Sequence, residues 1–164
     1  MDCCTRYQGA IVKDHHILLI KHQEHAAGYS YWVIPGGSRE PGETEEDCVQ
    51  REMFEETGLV VTVERLILDE EGIPLGIYKR LKTYLCRVIR GEARAGFEPE
   101  ARAAQEYAIC EVRWFDLNNP HKWEDDLKSS PFILPLIHRI RIALGYSANS
   151  TVAEGLSSPS KKTT

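Results

Sequence analysis

Three glutamates in the first half of the chain stand at a spacing that could bind a metal ion. Glu52, Glu55 and Glu56 are separated by offsets of three and four, which places them on one patch of a helix about a turn long. Like charges at this spacing repel one another unless a positive group lies among them. Clustered carboxylate oxygens are the ligands that Mg²⁺ or Mn²⁺ takes. The spacing therefore indicates a divalent metal site, and the alternative is a solvated acidic helix face.

The residues around these glutamates predict where the helix begins and ends. Pro41-Gly42 is a turn dipeptide, because proline presets one corner and glycine accepts the positive φ of the next. Thr44 stands where an N-cap belongs, and Asp47 three residues later completes a pair resembling a capping box. Gly58 is the expected C′ residue, because this position requires a left-handed backbone conformation. The sequence thus predicts a helix between Thr44 and Gly58, with Val49 and Met53 on its buried stripe.

The same stretch matches a known motif at every specified position. Gly37, Glu43 and the run from Arg51 to Leu59 fit the Nudix box, G-x5-E-x7-R-E-U-x-E-E-x-G-U, in which U is a bulky aliphatic residue. The preceding segment 32–37, W-V-I-P-G-G, is similar to the W-x-x-P-G-G lead-in common in that family. The chain therefore resembles the Nudix hydrolases over roughly residues 5–144.

The resemblance implies a role for each box residue. Glu52, Glu55 and Glu56 correspond to the metal-binding and catalytic glutamates, with Mg²⁺ as the cofactor and Mn²⁺ as a substitute. Arg51 corresponds to the arginine that orients these glutamates, and Glu43 to the acidic residue that pairs with it. Two glycines are expected to let the chain turn, at the loop and at the helix end: Gly37 and Gly58.

A further glutamate late in the domain is frequent in the family, as a base or as another metal ligand. Ala108 occupies one position where this glutamate often stands, so the choice stays open. The candidates are Glu106, which we favour, and Glu98, Glu100 and Glu111.

Substrate contacts are expected from a long strand after the box. Tyr78, Arg80 and Lys82 share one side of the segment 77–90 and could contact phosphate and base. Gly37 of the box is a further expected substrate contact. A solvent-facing basic strand is an equally good interpretation. Four histidines earlier in the chain fit no zinc motif and are expected at the surface or in loops: His15, His16, His22 and His25.

The reaction implied by the resemblance is hydrolysis of the pyrophosphate bond in a nucleoside diphosphate linked to a group X. A carboxylate-held metal would neutralise the phosphate oxygens and lower the pKa of the attacking water. Pro74 lies fifteen residues beyond Leu59, near a proline that the family associates with ADP-ribose. ADP-ribose or another ADP-sugar is therefore favoured, and a nucleoside triphosphate pyrophosphohydrolase or a non-catalytic nucleotide sensor are the alternatives.

The order of predicted elements indicates an α+β fold, which agrees with the α/β/α sandwich of the family, a mixed β-sheet flanked by helices. Two strands, 7–13 and 16–22, form a hairpin, and further strands are expected over 59–69, 77–90 and 106–117, with a turn at 70–76. The loop 91–105 has no clear period, and a helix is expected within 132–144.

Length and composition complete the sequence-based expectations. The 164 residues suit one domain, residues 1–144, followed by a disordered tail, residues 145–164. A net charge of −5 and no long apolar run argue against nucleic-acid and membrane partners. Five scattered cysteines suit a reducing cytoplasm, with Cys86 and Cys110 expected in the core. Family members often form homodimers, although no stripe in this chain specifies an interface.

Overall fold

A mixed β-sheet forms the middle layer of the structure. The computed structural model of the chain describes residues 4–97, 106–128, 130 and 132–147, without the side chains of 73–75. Its strands are β1 (Thr5–Lys13), β2 (His16–Glu24), β3 (Ser30–Val33), β4 (Gly36–Gly37), β5 (Val60–Leu75), β6 (Tyr78–Arg90) and β7 (Tyr107–Asp116). Its helices are α1 (Glu45–Thr57), α2 (Glu124–Leu127) and α3 (Ile133–Ala143), with a 3₁₀ turn at Pro120–Lys122.

The strand pairing places the segment before the helix in the centre of the sheet. Strands β1 and β2 are joined by Asp14 and His15, whose φ values of 49° and 62° are those of a two-residue hairpin turn. The two strands pair only beside this turn, and further along β1 pairs with β4 on one side and, in parallel, with β6 on the other. Strand β2 pairs with β3 and β7. The splay between β1 and β2 therefore leaves room for Gly36-Gly37 beside β1.

Each face of the sheet is covered by helices, which confirms the predicted α+β fold with its α/β/α layers. One cluster of buried side chains packs against α2 and α3 and includes Trp32, Phe115 and Ile137. The other packs against α1 and includes Val49 and Met53, the two residues predicted for the buried stripe of the helix. Residues 17–20 of β2 are fully buried, and Ile17 and Leu19 enter the first cluster while Leu18 enters the second. No helix within the described ranges is long and apolar enough to cross a membrane.

The helix α1 begins and ends where the sequence predicts. Thr44 is the N-cap, and its hydroxyl accepts a hydrogen bond from the Asp47 amide at 3.1 Å while the Asp47 carboxylate accepts from the Thr44 amide. Gly58 has a φ of 73° and donates its amide to the Phe54 carbonyl at 2.9 Å. The polar groups at both ends of the helix are thus bonded locally, which fixes the position of the glutamates between them.

Two sequence-based predictions are wrong in this part of the molecule. Strand β5 continues through the segment 70–75 that was expected to turn, and the reversal comes at Gly76, with a φ of 57°. Pro74 fits this edge strand, because the register with β6 shifts between Glu71 and Leu75 and proline is tolerated at such irregularities. Cys110 is exposed rather than buried, whereas Cys86 lies in the core as predicted.

The C-terminal helix is joined to the sheet by a buried arginine. Arg141 donates to the Leu117 carbonyl at 2.8 Å and to the Ser147 carbonyl at 3.0 Å. Tyr146 packs against the core and its hydroxyl lies 2.9 Å from Nδ1 of His15, so the first residues of the predicted tail contact the domain. The remainder of that tail, residues 148–164, lies outside the described residues, as do Glu98 and Glu100.

Removal of the N-cap hydroxyl tests the local account of α1. We expect Thr44→Ala to lower the free energy of unfolding by about 1 kcal/mol, because the Asp47 amide loses its partner. Thr44→Ser, which keeps the hydroxyl, should stay close to the wild type. Urea unfolding at neutral pH measures both, and equal stability of the two variants would contradict a capping role.

Candidate active site

The guanidinium of Arg51 lies in the middle of the carboxylate cluster. Its Nε and Nη2 donate to Glu43 at 2.8 and 3.1 Å, and its Nη1 donates to Glu52 at 2.8 Å and to Glu55 at 3.0 Å. A further bond runs from Nη2 to the Ser38 carbonyl at 3.0 Å. These bonds, with the one to Glu43 foremost, raise the pKa of Arg51. The positive group that the glutamate spacing requires is therefore supplied, in this structure, by the chain itself.

Two of the three glutamates are buried. Glu52 is 3% exposed and Glu56 is 0% exposed. These two glutamates therefore face the sheet, which excludes the alternative of a solvated acidic helix face. Glu56 accepts a hydrogen bond from the Gly36 amide at 2.7 Å. A Cβ on Gly37 would lie only 2.4 Å from Oε1 of Glu52, so a side chain at this position would displace the carboxylate. Gly37 thus lets Glu52 approach the backbone of β4, and the Gly36 amide binds Glu56.

A segment after β6 closes the other end of the helix. The amides of Arg94, Gly96 and Phe97 donate to the carbonyls of Thr57, Glu56 and Glu55, at 2.9, 2.9 and 3.2 Å. A Cβ on Gly96 would come within 1.9 Å of the Glu55 carbonyl oxygen. The described part of the predicted 91–105 loop is therefore bonded to the last turn of α1, directly beside the cluster.

The chemistry of the carboxylate cluster fits a hard divalent cation. Glu52, Glu55 and Glu56 offer oxygen donors only, and a carboxylate that accepts a hydrogen bond keeps further lone pairs for a metal. In the described part of the chain no three acidic, histidine or cysteine side chains form a preformed metal cage. Instead, Nη1 of Arg51 lies between Glu52 and Glu55. The metal site therefore stays a prediction. The type of donor atoms supports it, but the carboxylates are not already arranged around a common point.

A cavity of about 710 Å³ opens beside β1 and β3, a size that suits a small-molecule ligand. Aromatic and polar side chains share its wall: Arg6, Gln8, Glu24, Tyr29, Tyr31, Trp32 and Phe132. The hydroxyl of Tyr31 donates to Glu24 at 3.0 Å, and burial foremost raises the pKa of this tyrosine. The cavity therefore combines stacking surfaces with hydrogen-bonding groups on neighbouring strands.

His22 is buried behind this wall, so its predicted surface location is wrong. It is 4% exposed, stacks on Tyr107 with ring centroids 4.0 Å apart and meets the edge of Tyr31 at 5.5 Å. Burial, together with the charge of Arg6, lowers the pKa of His22 to about 3. The residue is therefore neutral in the folded protein at physiological pH.

The predicted substrate contacts on β6 have carboxylate or hydroxyl partners in the structure. Lys82 donates to both oxygens of Glu45 at 2.7 and 2.9 Å, and Arg80 binds Asp69 with two bonds of 2.7 Å. The Tyr78 hydroxyl lies 3.0 Å from the Ser38 hydroxyl, and its ring lies under Arg6. Tyr78 and Lys82 thus each contact the box stretch, at Ser38 and Glu45, and the binding roles stay predictions.

Of the late glutamates, Glu106 and Glu111 lie within the described residues and are placed at the edge of the sheet. Glu106 is exposed at the start of β7, and its carbonyl accepts from the His25 amide at 2.9 Å. Glu111 pairs with Arg113 at 2.7 Å and with Lys21 at 3.7 Å. A catalytic role for Glu106 stays a prediction.

Comparison with known proteins decides the family. A model of the NUDIX domain matches residues 6–134, well over half of the chain. The chain belongs to the NUDIX domain family. A solved NUDIX hydrolase from Nitrosomonas europaea superimposes with a TM-score of 0.65, covering 88% of this chain and 92% of that one at 18% identity, which supports the fold.

Two relatives show how far the likeness of this NUDIX domain extends. It is 36% identical over 118 residues to a protein of Methanocaldococcus jannaschii named ADP-ribose pyrophosphatase, covering 68% of this chain and 60% of that protein. It is 53% identical over 53 residues to the NAD-capped RNA hydrolase NudC of Vibrio vulnificus, covering 32% of this chain and 20% of that protein. The chain therefore spans less than two thirds of the length of either relative.

Sequence reasoning missed two residues of this NUDIX domain. Arg6 stands just before the predicted strand 7–13, and a single cation there gives no motif; His22 is assigned to the surface because the histidines fit no zinc motif. The β2–β7 register shifts between Lys21 and His22, and such an irregularity breaks the alternation from which burial is inferred. One available signal for Arg6 is that it directly precedes a strand whose residues are mostly apolar or small.

Replacement of Arg51 by lysine tests whether the forked guanidinium holds the cluster together. We expect Arg51→Lys to lower the free energy of unfolding by about 1–3 kcal/mol, because an ammonium cannot reach three glutamates and a carbonyl at once. Arg87 is exposed and paired with Glu64, so Arg87→Lys is the matched control and should change stability by less than about 0.5 kcal/mol. Equal effects of the two substitutions in urea unfolding would contradict the central role of Arg51.

The low pKa of His22 predicts an acid-dependent loss of stability. The unfolded chain binds a proton near pH 6.5 and the folded chain only near pH 3, so stability is present in full above pH 6.5 and falls as the pH drops through this window. The expected slope is about 1.4 kcal/mol per pH unit. His22→Phe should reduce the loss between pH 6.5 and 5 by about 2 kcal/mol in urea unfolding. The same loss in both proteins would show that the imidazole is not kept neutral.

Proposed function

We propose that this NUDIX domain is a divalent-metal-dependent hydrolase that cleaves the pyrophosphate bond of a nucleoside diphosphate linked to another group. The observation that carries the proposal is the position of the carboxylate cluster next to the cavity. Ser38 joins the two, because its carbonyl accepts from Arg51 while its hydroxyl bonds to Tyr78, whose ring contacts Arg6 in the cavity wall. A ligand with a base in the cavity would bring its phosphates toward the glutamates.

Each residue of the cluster has a defined part in this reaction. Glu52, Glu55 and Glu56 would hold Mg²⁺, or Mn²⁺ in its place, and the bound metal would neutralise phosphate charge and lower the pKa of a water. Glu52 or Glu56 would help to polarise that water, since both are buried near the glycine turn. Arg51 keeps the carboxylates oriented before substrate binds. Burial of the reacting groups strengthens all these electrostatic interactions.

The favoured substrates are ADP-ribose and other ADP-sugars. The relative from Methanocaldococcus jannaschii is named for ADP-ribose, and it is similar over 68% of this chain. The cavity supports this choice because Tyr29, Tyr31 and Phe132 provide ring surfaces on which a nucleobase can stack. The proline expected to mark ADP-ribose specificity, Pro74, lies where the structure describes only the backbone.

A substrate screen with metal control tests the proposal. Purified protein is incubated with ADP-ribose, ADP-glucose, NADH, dinucleoside polyphosphates and the nucleoside triphosphates, with Mg²⁺, with Mn²⁺ and with chelator. We expect metal-dependent release of AMP from ADP-ribose. Preference for nucleoside triphosphates would establish the alternative pyrophosphohydrolase, and nucleotide binding without turnover would establish the sensor.

Replacement of Glu56 separates catalysis from folding. Glu56→Gln should lower kcat at least about 100-fold while the thermal midpoint stays near that of the wild type, because the amide oxygen can still accept from Gly36. Glu64 is an exposed glutamate on β5 paired with Arg87, so Glu64→Gln is the matched control and should keep full activity. An unchanged rate in Glu56→Gln would contradict the assignment of the cluster as catalytic.

A further inference from the structure

Arg6 differs from Arg51 and Arg141 in how few of its donors are used. Its side chain lines the cavity and makes one hydrogen bond within the described structure, from Nη2 to the Ile34 carbonyl at 3.3 Å. Arg51, by comparison, donates to three glutamates and a carbonyl, and Arg141 to two carbonyls. A guanidinium carries five N–H donors, so most of those on Arg6 are available to a ligand in the cavity.

The surroundings of Arg6 leave its charge without a carboxylate in contact. Within the described residues no acidic group lies within ion-pair distance of it, although Arg80 and Lys82 are both paired in this way. Its closest described ring partner is Tyr78, with the guanidinium carbon 5.7 Å from the ring centroid. A partly buried cation that lines a cavity and has no carboxylate at ion-pair distance is a site at which an anion gains by binding.

The position of Arg6 also lies between the cavity and the catalytic glutamates. Burial acts to lower the pKa of Arg6, but the charges of Tyr78, Glu56, Tyr107 and Glu52 outweigh it and raise the pKa. Arg6 is therefore charged at any working pH and close enough to Glu52 and Glu56 to interact with them electrostatically. A phosphate at Arg6 would lie on the path from a base stacked in the cavity to those carboxylates.

We propose that Arg6 is the phosphate-binding residue of the cavity and that it holds the nucleoside-side phosphate of a diphosphate substrate. This inference rests on the proposed function and adds the part of the site that recognises the ligand. The planar guanidinium can bind two phosphate oxygens at once, which fixes orientation as well as charge. Arg6 thus distinguishes nucleotides from nucleosides, while the aromatic wall binds the part that both share.

Ligand titration of the metal-free protein tests this role without turnover. AMP, ADP-ribose and adenosine are titrated by calorimetry in chelator into the wild type, Arg6→Gln, Arg6→Lys and the exposed control Arg87→Gln. We expect Arg6→Gln to weaken AMP and ADP-ribose binding about 10- to 100-fold and to leave adenosine binding within about 2-fold. Arg6→Lys should be intermediate because it keeps the charge and loses the fork, and Arg87→Gln should match the wild type.

Several outcomes would overturn the proposal. Unchanged AMP affinity in Arg6→Gln would do so, as would an equal loss for adenosine, which would make Arg6 a residue that shapes the cavity. Failure of the wild type to bind AMP more tightly than adenosine in chelator would overturn it too, because the guanidinium is present without metal. Arg6→Lys guards against misfolding, since it retains the long side chain and the charge, and circular dichroism verifies the fold of each variant.

A kinetic comparison separates this inference from the proposed function. With Mg²⁺ and ADP-ribose, Arg6→Gln should raise KM about 10- to 100-fold and lower kcat by a smaller factor, because the phosphate contact exists before the reaction. Normal KM in this variant alongside normal hydrolysis by the wild type would overturn the role of Arg6 and leave the function standing. If AMP binding depends on Arg6 but the wild type hydrolyses no substrate, the role of Arg6 stands and the proposed hydrolase function is overturned.

Discussion

The compensation of buried negative charge by one guanidinium underlies the rest of this structure. Glu52 lies under the sheet side of α1, where an uncompensated carboxylate would cost several kcal/mol to desolvate. Arg51 binds Glu52 and Glu55 with a single nitrogen and reaches Glu43 and the Ser38 carbonyl with the others. Its planar, fixed fork suits this arrangement, because four acceptors can be bound without rearrangement. The helix can therefore face the β1–β4 region with its acidic side.

That constraint explains the shape of the sheet around the site. Both residues of β4 are glycines: Gly37 leaves room for the Glu52 carboxylate, and Gly36 leaves room for the backbone of β1 at Tyr7 and Gln8. For β4 to pair with β1, β1 must part from β2 soon after their hairpin. The same parting lets Arg6 on β1 and Tyr31 on β3 line one cavity. The carboxylate cluster and the cavity thus both depend on the parting of β1 from β2.

The sequence predicts the local features well because each depends on neighbouring residues. Thr44, Asp47 and Gly58 form the two ends of α1 through contacts within a few positions, and the Nudix box specifies the family. Features that depend on distant strands are harder to predict. His22 is buried by a change in register against β7, and the segment 70–75 stays extended because its partner is β6. Arg6 becomes noticeable only when a cavity and a missing ion partner are seen together in space.

The bonding of segment 94–97 to the last turn of α1 bears on how such a domain can diverge. Three carbonyls of the turn that carries Glu55 and Glu56 are bonded by the backbone of a connection that comes about 40 positions later in the chain. Because the bonds use amides, most residue types can occupy these positions, but Gly96 has no room for a side chain. An insertion or deletion within 94–97 would therefore displace amides that bind the turn carrying Glu55 and Glu56. The length of this short segment is thus constrained by the same turn that positions the carboxylates.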